Sequence, residues 1–295
     1  MKRGFILILT LVVISLLTIG VVGFNYWVRT KNISANNQLF DLKTLYLAKA
    51  GINYGIFILQ NDAEEKSDNL NQDWAKIEPF NLGEGEVTVK IIDEKGKINI
   101  NEFIQSTKNK RILGRLFDLL ELESGKLNAI ADWIDDGDIP RMDGAEEDYY
   151  ANLEPPYFCK NGALDTIGEL IMIKGFNKEI LYNQEKGLIN FLRVTFDNSD
   201  NKININTAPL EVLEAVLNSH TLAEEIIDRR EEKPFTNSEE IKAFLKPVKA
   251  SSFVCVSDFF SLESTGTIPP RYKKSIKAIV RRNSNSLKIL YYKVE

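Results

Sequence analysis

From Phe5 to Val28 the chain runs for about two dozen residues without a charged side chain, behind Met1-Lys2-Arg3-Gly4 and ahead of Arg29. A stretch of that length and polarity crosses a bilayer as a helix. A cleaved export signal would have a shorter apolar core and a small-x-small cleavage site. Ile19-Gly20-Val21 offers small residues, but the hydrophobicity runs straight past them. A simple amino-terminal anchor is the plain reading. With Lys2 and Arg3 ahead of the span, the positive-inside rule puts the amino terminus in the cytoplasm and the rest of the chain outside.

The whole chain, 295 residues at 44% hydrophobic and 27% charged, leaves room for two modest globular domains. The net charge of −5 gives no basic surface for phosphate, which excludes nucleic acid as an expected partner. Cys159 and Cys255 stand far apart with no zinc spacing, so they form one long-range disulfide or remain two buried thiols.

Leu39, Leu42, Leu45, Tyr46, Ala48, Ile52, Ile56 and Leu59 recur at spacings of three and four, which predicts a stalk helix continuing from Arg29 to about Gln60. The alternation Val87 to Ile92 predicts a strand. Asp93-Glu94-Lys95-Gly96 predicts a tight turn into a second strand at Lys97 to Asn101, making a hairpin. Further strands are expected at Phe253 to Phe259 with Ser261 to Ser264, Tyr272 to Arg281 and Leu287 to Val294, returning to pair near residue 90.

An internal repeat organises the middle. Lys97-Ile98-Asn99-Ile100-Asn101 recurs word for word as Lys202-Ile203-Asn204-Ile205-Asn206. Each copy leads into two short helices, Ile112 to Leu122 with Leu127 to Trp133, and Leu210 to Leu217 with Leu222 to Arg230. Each then closes with a similar element, at Leu164 to Leu170 and Phe235 to Ile241. The second copy, from Ile205 to Leu213, resembles the opening of a helix-hairpin-helix module, with Thr207 as expected N-cap and Pro209 in the first turn. Its hairpin, Leu217 to Thr221, lacks the glycines that meet phosphate, and its second helix is acidic, which again argues against DNA.

The first copy is interrupted by an acidic insertion. Asp132 to Tyr150 holds eight carboxylates and one base, Arg141. Such density repels itself unless a cation is present, and Ca²⁺ accepts six to eight oxygens in flexible geometry. A solvated acidic loop is the alternative. The carboxylates beside Trp133, Tyr149 and Tyr150 could also pass for a hydrolase site. Nothing else supports an enzyme: there is one histidine, His220, and no nucleophile arrangement or phosphate loop.

The short basic leader ending in Gly4 before Phe5 resembles that of type IV pilin-class subunits, in which a prepilin peptidase cuts after the glycine and methylates the new terminus. Most such subunits carry glutamate at the fifth mature position. Counted from Phe5, that position here is Leu9. A carboxylate in the bilayer is costly unless paired, and the member of the class lacking it is the general secretion pathway K kind. Asp132 to Asp135, Gly144 to Tyr150, Pro155 to Tyr157 and Lys160 to Asp165 are similar to the K-type pattern in the same order, and the resemblance spans nearly the whole chain.

The resemblance implies a minor pseudopilin at the tip of the type II secretion pseudopilus. It would initiate assembly and support export of folded proteins across the outer membrane. A minor pilin of a type IV pilus or DNA-uptake machine is the alternative. The implied fold is α+β, a transmembrane and stalk helix with a pilin-like antiparallel sheet and a large inserted all-helical domain of two SAM-like or helix-hairpin-helix-like modules. The expected division is a leader at 1–4, a transmembrane helix at 5–28, stalk and first strands at 29–100, the insertion at 101–250 with its acidic part at 132–160, and closing strands at 251–295. Implied partners are I- and J-type minor pseudopilins, prepilin peptidase and the inner membrane, which the chain crosses once with its bulk in the periplasm. A structural calcium ion is implied in the helical part, for which Asp136, Asp138, Glu146, Glu147 and Asp148 are the candidate ligands, with processing at Gly4 and Phe5.

Overall fold

The computed structural model describes residues 2–62, 66–195, 201–245, 247–283 and 286–295; Met1, first residue of the expected leader, lies outside them. Helix α1 runs unbroken over Lys2–Asn61. No proline interrupts it, and its span and stalk are one rod. Up to about Asp41 it is largely exposed, and then one stripe is buried: Thr44, Leu47, Ala48, Gly51, Ile52, Gly55 and Leu59. That period of three and four lays one helix face on a sheet.

The sheet has five antiparallel strands in the order β1-β2-β7-β8-β9. Its members are β1 (Phe80–Leu82), β2 (Gly85–Asp93), β7 (Phe259–Ile268), β8 (Tyr272–Asn283) and β9 (Ser286–Val294). Val87 faces Gly266, Val89 faces Ser264 and Ile91 faces Leu262 across the central pair, so alternate residues point at α1. The helix lies close to β7, since a Cβ on Gly51 would overlap Ser264 Oγ and one on Gly266 would overlap the carbonyl of Thr44. Trp74, 1% exposed, seals this core edge-on against Phe260.

The expected hairpin at Asp93 to Asn101 does not form. Asp93 ends β2, Glu94–Gly96 make a single 3₁₀ turn, and β3 (Ile98–Asn99) leaves the sheet to pair in parallel with β4 (Leu192–Arg193). Antiparallel pairing of β2 goes instead to β1 and β7. The strand expected from Phe253 to Phe259 likewise divides, β6 (Phe253–Val254) pairing in parallel with β5 (Ile203–Asn204) and β7 starting at Phe259. The insertion is therefore not all-helical. Each repeat is closed by a two-residue parallel ladder between the repeated word and the segment ending that repeat.

Helices fill the insertion: α2 (Ile100–Gln105), α3 (Thr107–Leu119), α4 (Gly125–Ile134), α5 (Glu147–Ala151) and α6 (Lys178–Tyr182) in the first repeat. The second holds α7 (Leu210–Leu217), α8 (His220–Glu232), α9 (Ser238–Leu245) and α10 (Pro247–Ala250). The duplication is visible in matching hydrogen bonds. Asn101 donates to the carbonyl of Leu164 and accepts its N–H, both at 2.9 Å. Asn206 makes the same pair with Phe235, again at 2.9 Å. The closing elements thus start at the residues these two asparagines hold. Thr207 does not cap α7, whose N-cap is Pro209; its hydroxyl donates instead to Asp93 at 2.6 Å. The insertion has its own apolar core, separate from that under α1.

Candidate functional site

Two regions carry the expected functional residues. The first is the amino-terminal part of α1, the one helix among the described residues long and apolar enough to cross a membrane; its most apolar stretch is nowhere covered by the rest of the chain. The hydroxyls of Thr10, Ser15 and Thr18 donate at 2.8 Å to carbonyls about one turn back, satisfying these polar groups within an apolar rod. Gly4, Phe5 and Leu9 are all exposed.

The second region is the acidic insertion. Helix α4 buries Leu127, Ala129, Ile130, Trp133 and Ile134, and Asp132 is carried in among them with no exposed surface. Its Oδ2 accepts the backbone N–H groups of Arg141 at 3.1 Å and Ala145 at 2.9 Å. Its Oδ1 receives Arg141 Nη1 at 2.5 Å, while Nη2 of the same guanidinium reaches Asp135 at 2.5 Å. The hydrogen bond that Arg141 donates to Asp132 holds the Arg141 pKa above its usual value. A Cβ on Gly144 would overlap the Asp132 carboxylate, so the loop closes there because glycine lets it. Lys174 fixes the same turn, donating to the Gly144 carbonyl at 2.9 Å.

Glu146 follows, 4% exposed, and its Oε1 has no hydrogen-bond partner. Burial, reinforced by the charges of Asp132 and Asp135, pushes its pKa up to about 7. Cys159 Sγ lies 3.9 Å from its Oε2 and the same distance from the carbonyl of Asp132. Glu147 accepts the N–H of Cys159 at 2.8 Å. Beneath, Trp133 meets Tyr150 edge-on at 4.9 Å and Tyr157 stacks at a tilt on Tyr150 at 5.5 Å, so these aromatics pack the insertion onto its module.

Of the five expected metal ligands, Glu146 and Glu147 meet around Cys159, whereas Asp136, Asp138 and Asp148 are exposed. Among the described residues no three metal-ligating side chains converge. One buried oxygen of Glu146 is left without a donor in a setting of carboxylates, and a hard oxygen of that kind is what calcium accepts. Asp132, Asp135 and Arg141 were not singled out by sequence reasoning as a cluster. The signal was available: Asp132 stands in the apolar run Ala131 to Ile134, where a carboxylate must be paired. Cys159 and Cys255 are buried and free, which settles their pairing as two thiols. His220 is exposed, between Glu214 and Glu224.

Comparison with known proteins gives a consistent answer. Two family models match, both described as type II secretion system protein K, one over residues 96–186 and the other over 203–252, one on each repeat. A type II secretion system protein K of Pseudomonas aeruginosa is 25% identical over 98% of this chain and 92% of its own length. The chain belongs to the type II secretion system protein K family. Another member, from Pectobacterium carotovorum, is 30% identical over 42% of this chain and 43% of its own. The fold matches a chain in the crystal structure of the GspK-GspI-GspJ complex of enterotoxigenic Escherichia coli, with a TM-score of 0.75 over 88% of this chain and 99% of that one, at 19% identity. The protein K family is a structural component of secretion and not an enzyme family.

Proposed function

We propose that this protein K is the minor pseudopilin at the tip of the type II secretion pseudopilus. It is held in the inner membrane by a single pass with its bulk in the periplasm, and matured by prepilin peptidase between Gly4 and Phe5. The observation that carries the reading is α1, one uninterrupted helix from an apolar span into the core of the sheet. Such a rod couples a membrane-held end to a folded head without a hinge. With Leu9 where a glutamate would pair with a neighbour's terminal amine, the subunit needs no neighbour above it. The pilin-like head, with its two helix-hairpin-helix-like modules at 101–250, caps the fibre, so assembly starts here and supports export of folded proteins across the outer membrane.

The I- and J-type minor pseudopilins are the proposed partners, supported by the fold shared with a chain of the GspK-GspI-GspJ complex. Co-expression of the tagged full chain with I- and J-type subunits in a membrane should yield all three after detergent extraction. Recovery of the chain alone, with neither partner, would sink the reading.

Calcium is the proposed structural ion, with Glu146 as first ligand and Glu147, Asp136, Asp138 and Asp148 as the other candidates. When bound, it supplies the positive charge that these carboxylates lack. The chain's own residues hold the loop: Gly144 closes it, Lys174 pins it and the aromatics support it. Thermal unfolding should rise with Ca²⁺ and fall with chelator, and Mg²⁺ should help less, since it demands tighter geometry. A melting temperature indifferent to calcium returns the insertion to a solvated acidic loop.

A further inference from the structure

We infer that β9, the open edge of the sheet, is a docking strand that adds an extended, acidic segment of another protein to the sheet. Such docking needs neither calcium nor a tip position, and it adds a class of partner to the function proposed above.

The sheet ends on β1 at one side and on β9 at the other. β1 is three residues long, whereas β9 runs for nine. The outward backbone N–H and C=O groups of an edge strand have no ladder partner, which makes a long exposed edge a template for a further strand. Helix α1 packs chiefly on β2, β7 and β8, and it leaves its own side of β9 open. There Ile289, Tyr292 and Val294 stand opposite the buried Val280, Ala278 and Ile276, yet are 45%, 42% and 45% exposed. The bulge between Ile279 and Val280 twists this edge without covering it.

Charge selects the strand. On the face turned away from the buried Ile276, Ala278 and Val280, β8 carries Lys273, Lys277 and Arg281. Across the ladder Lys293 stands directly opposite Lys277, and Lys288 directly opposite Arg281. Like charges so placed destabilise a strand pair, and these two strands pair in spite of them. Glu295 reaches Lys277 at 3.0 Å and Lys293 at 2.9 Å, Asp258 reaches Arg281 at 3.6 Å, and Glu263 of β7 stands opposite Lys277. Lys273 and Lys288 have no ion-pair partner among the described residues. A second copy of β9 would bring more lysine to this face, and lysine on an edge is a known bar to such self-pairing. A foreign strand with carboxylates on this face and apolar side chains on the other would offset the like charges at Lys288 and Lys293 and cover Ile289, Tyr292 and Val294.

The test uses the full chain in detergent and two synthetic peptides as long as β9, one alternating glutamate with valine and the other lysine with valine. Affinity is read by fluorescence anisotropy of labelled peptide, and the place of binding by amide hydrogen exchange of the chain. The glutamate peptide should bind about tenfold more tightly than the lysine peptide, since like charge at contact selects against the wrong partner. It should slow exchange in residues 286–294, most strongly at low salt. Lys288 and Lys293 are both exposed, so Lys288→Glu combined with Lys293→Glu leaves the apolar row in place and should reverse the preference. Equal affinities for the two peptides, an unreversed preference in the double variant, or binding that slows exchange elsewhere but not in 286–294 would overturn the inference. So would the absence of any slowing up to about 1 mM glutamate peptide. Slowing in 286–294 as the chain is concentrated without peptide would make a second copy the occupant, and would overturn it equally.

Discussion

The carboxylate of Asp93, last residue of β2, receives the side-chain amide of Asn204, last residue of β5, at 2.8 Å. The same oxygen accepts the hydroxyls of Thr207 and Ser257, each at 2.6 Å. Asn204 also donates to the Asp68 carbonyl at 3.0 Å, and Asp68 in turn carries Arg282 of β8. The insertion is thus pinned to the sheet by a buried polar knot at the point where β2 gives way to the modules.

Loss of one member of a buried network leaves its partners unsatisfied, at about 1–3 kcal/mol. Asn204→Ala should therefore destabilise the chain by that much in urea unfolding. Asn99, its counterpart in the first repeat, donates to the hydroxyl of Thr195 at 2.7 Å, a neutral partner away from the sheet. Asn99→Ala should cost less, about 1 kcal/mol. An equal or larger loss at Asn99 would mean that the knot contributes no more than a single ordinary hydrogen bond.

Glycines divide in the same way. Gly51 lies where a Cβ would overlap Ser264, while Gly114 in α3 has open space around its missing Cβ. Both sit within helices, where alanine is preferred by up to about 1 kcal/mol. Gly114→Ala should raise the melting temperature slightly. Gly51→Ala should lower it, because overpacking costs about 1–3 kcal/mol and outweighs the helical gain. Two shifts of the same sign would contradict this placement of α1 against β7.

The helix-on-sheet plan was legible because its signals are local and periodic. The stripe from Thr44 to Leu59, the alternation of β2 and the last two strands, β8 and β9, follow from spacing. The repeat was legible as well, and Asn101 and Asn206 show why the word is repeated: each holds the closing element of its module. What failed was non-local. Asp93 to Gly96 has the composition of a hairpin turn, but Asp93 is claimed by Asn204, Thr207 and Ser257, residues more than a hundred positions away. Thr207 looks like an N-cap for the same reason, a hydroxyl whose partner sequence spacing cannot reveal. In the acidic insertion the residue types were legible. The burial of Asp132, which separates a bridged carboxylate from a solvated one, required the fold.

Processing gives a further expectation. Gly4 and Phe5 are exposed in the first turns of α1, so the mature chain should begin at Phe5, as amino-terminal mass spectrometry would read. A mature terminus near residue 22 would contradict the pilin-class leader. In the same helix Leu9→Glu adds an ionisable group to the span, costly without a partner. Secretion should be unchanged or impaired. Appearance of the variant along the length of purified fibres would argue against a tip position.

His220, the single histidine of the chain, gives one clean titration. Its Nδ1 lies 2.7 Å from Glu214 and its Nε2 3.3 Å from Glu224. The hydrogen bond to Glu214, followed by the charges of Glu224 and Glu214, raises its pKa above the usual value of 6.5. The sign follows by linkage: a histidine whose pKa is raised by folding stabilises the fold fully below its unfolded value and loses that contribution as pH rises through the folded one. Stability of the α7–α8 hairpin should therefore decline slightly from just below neutrality upward. A proton NMR titration should place the imidazole above about 6.5, the ordinary value for histidine, and Glu214→Gln should bring it back down. Titration at or below the ordinary value in the native chain would mean that the two glutamates do not hold the ring in solution.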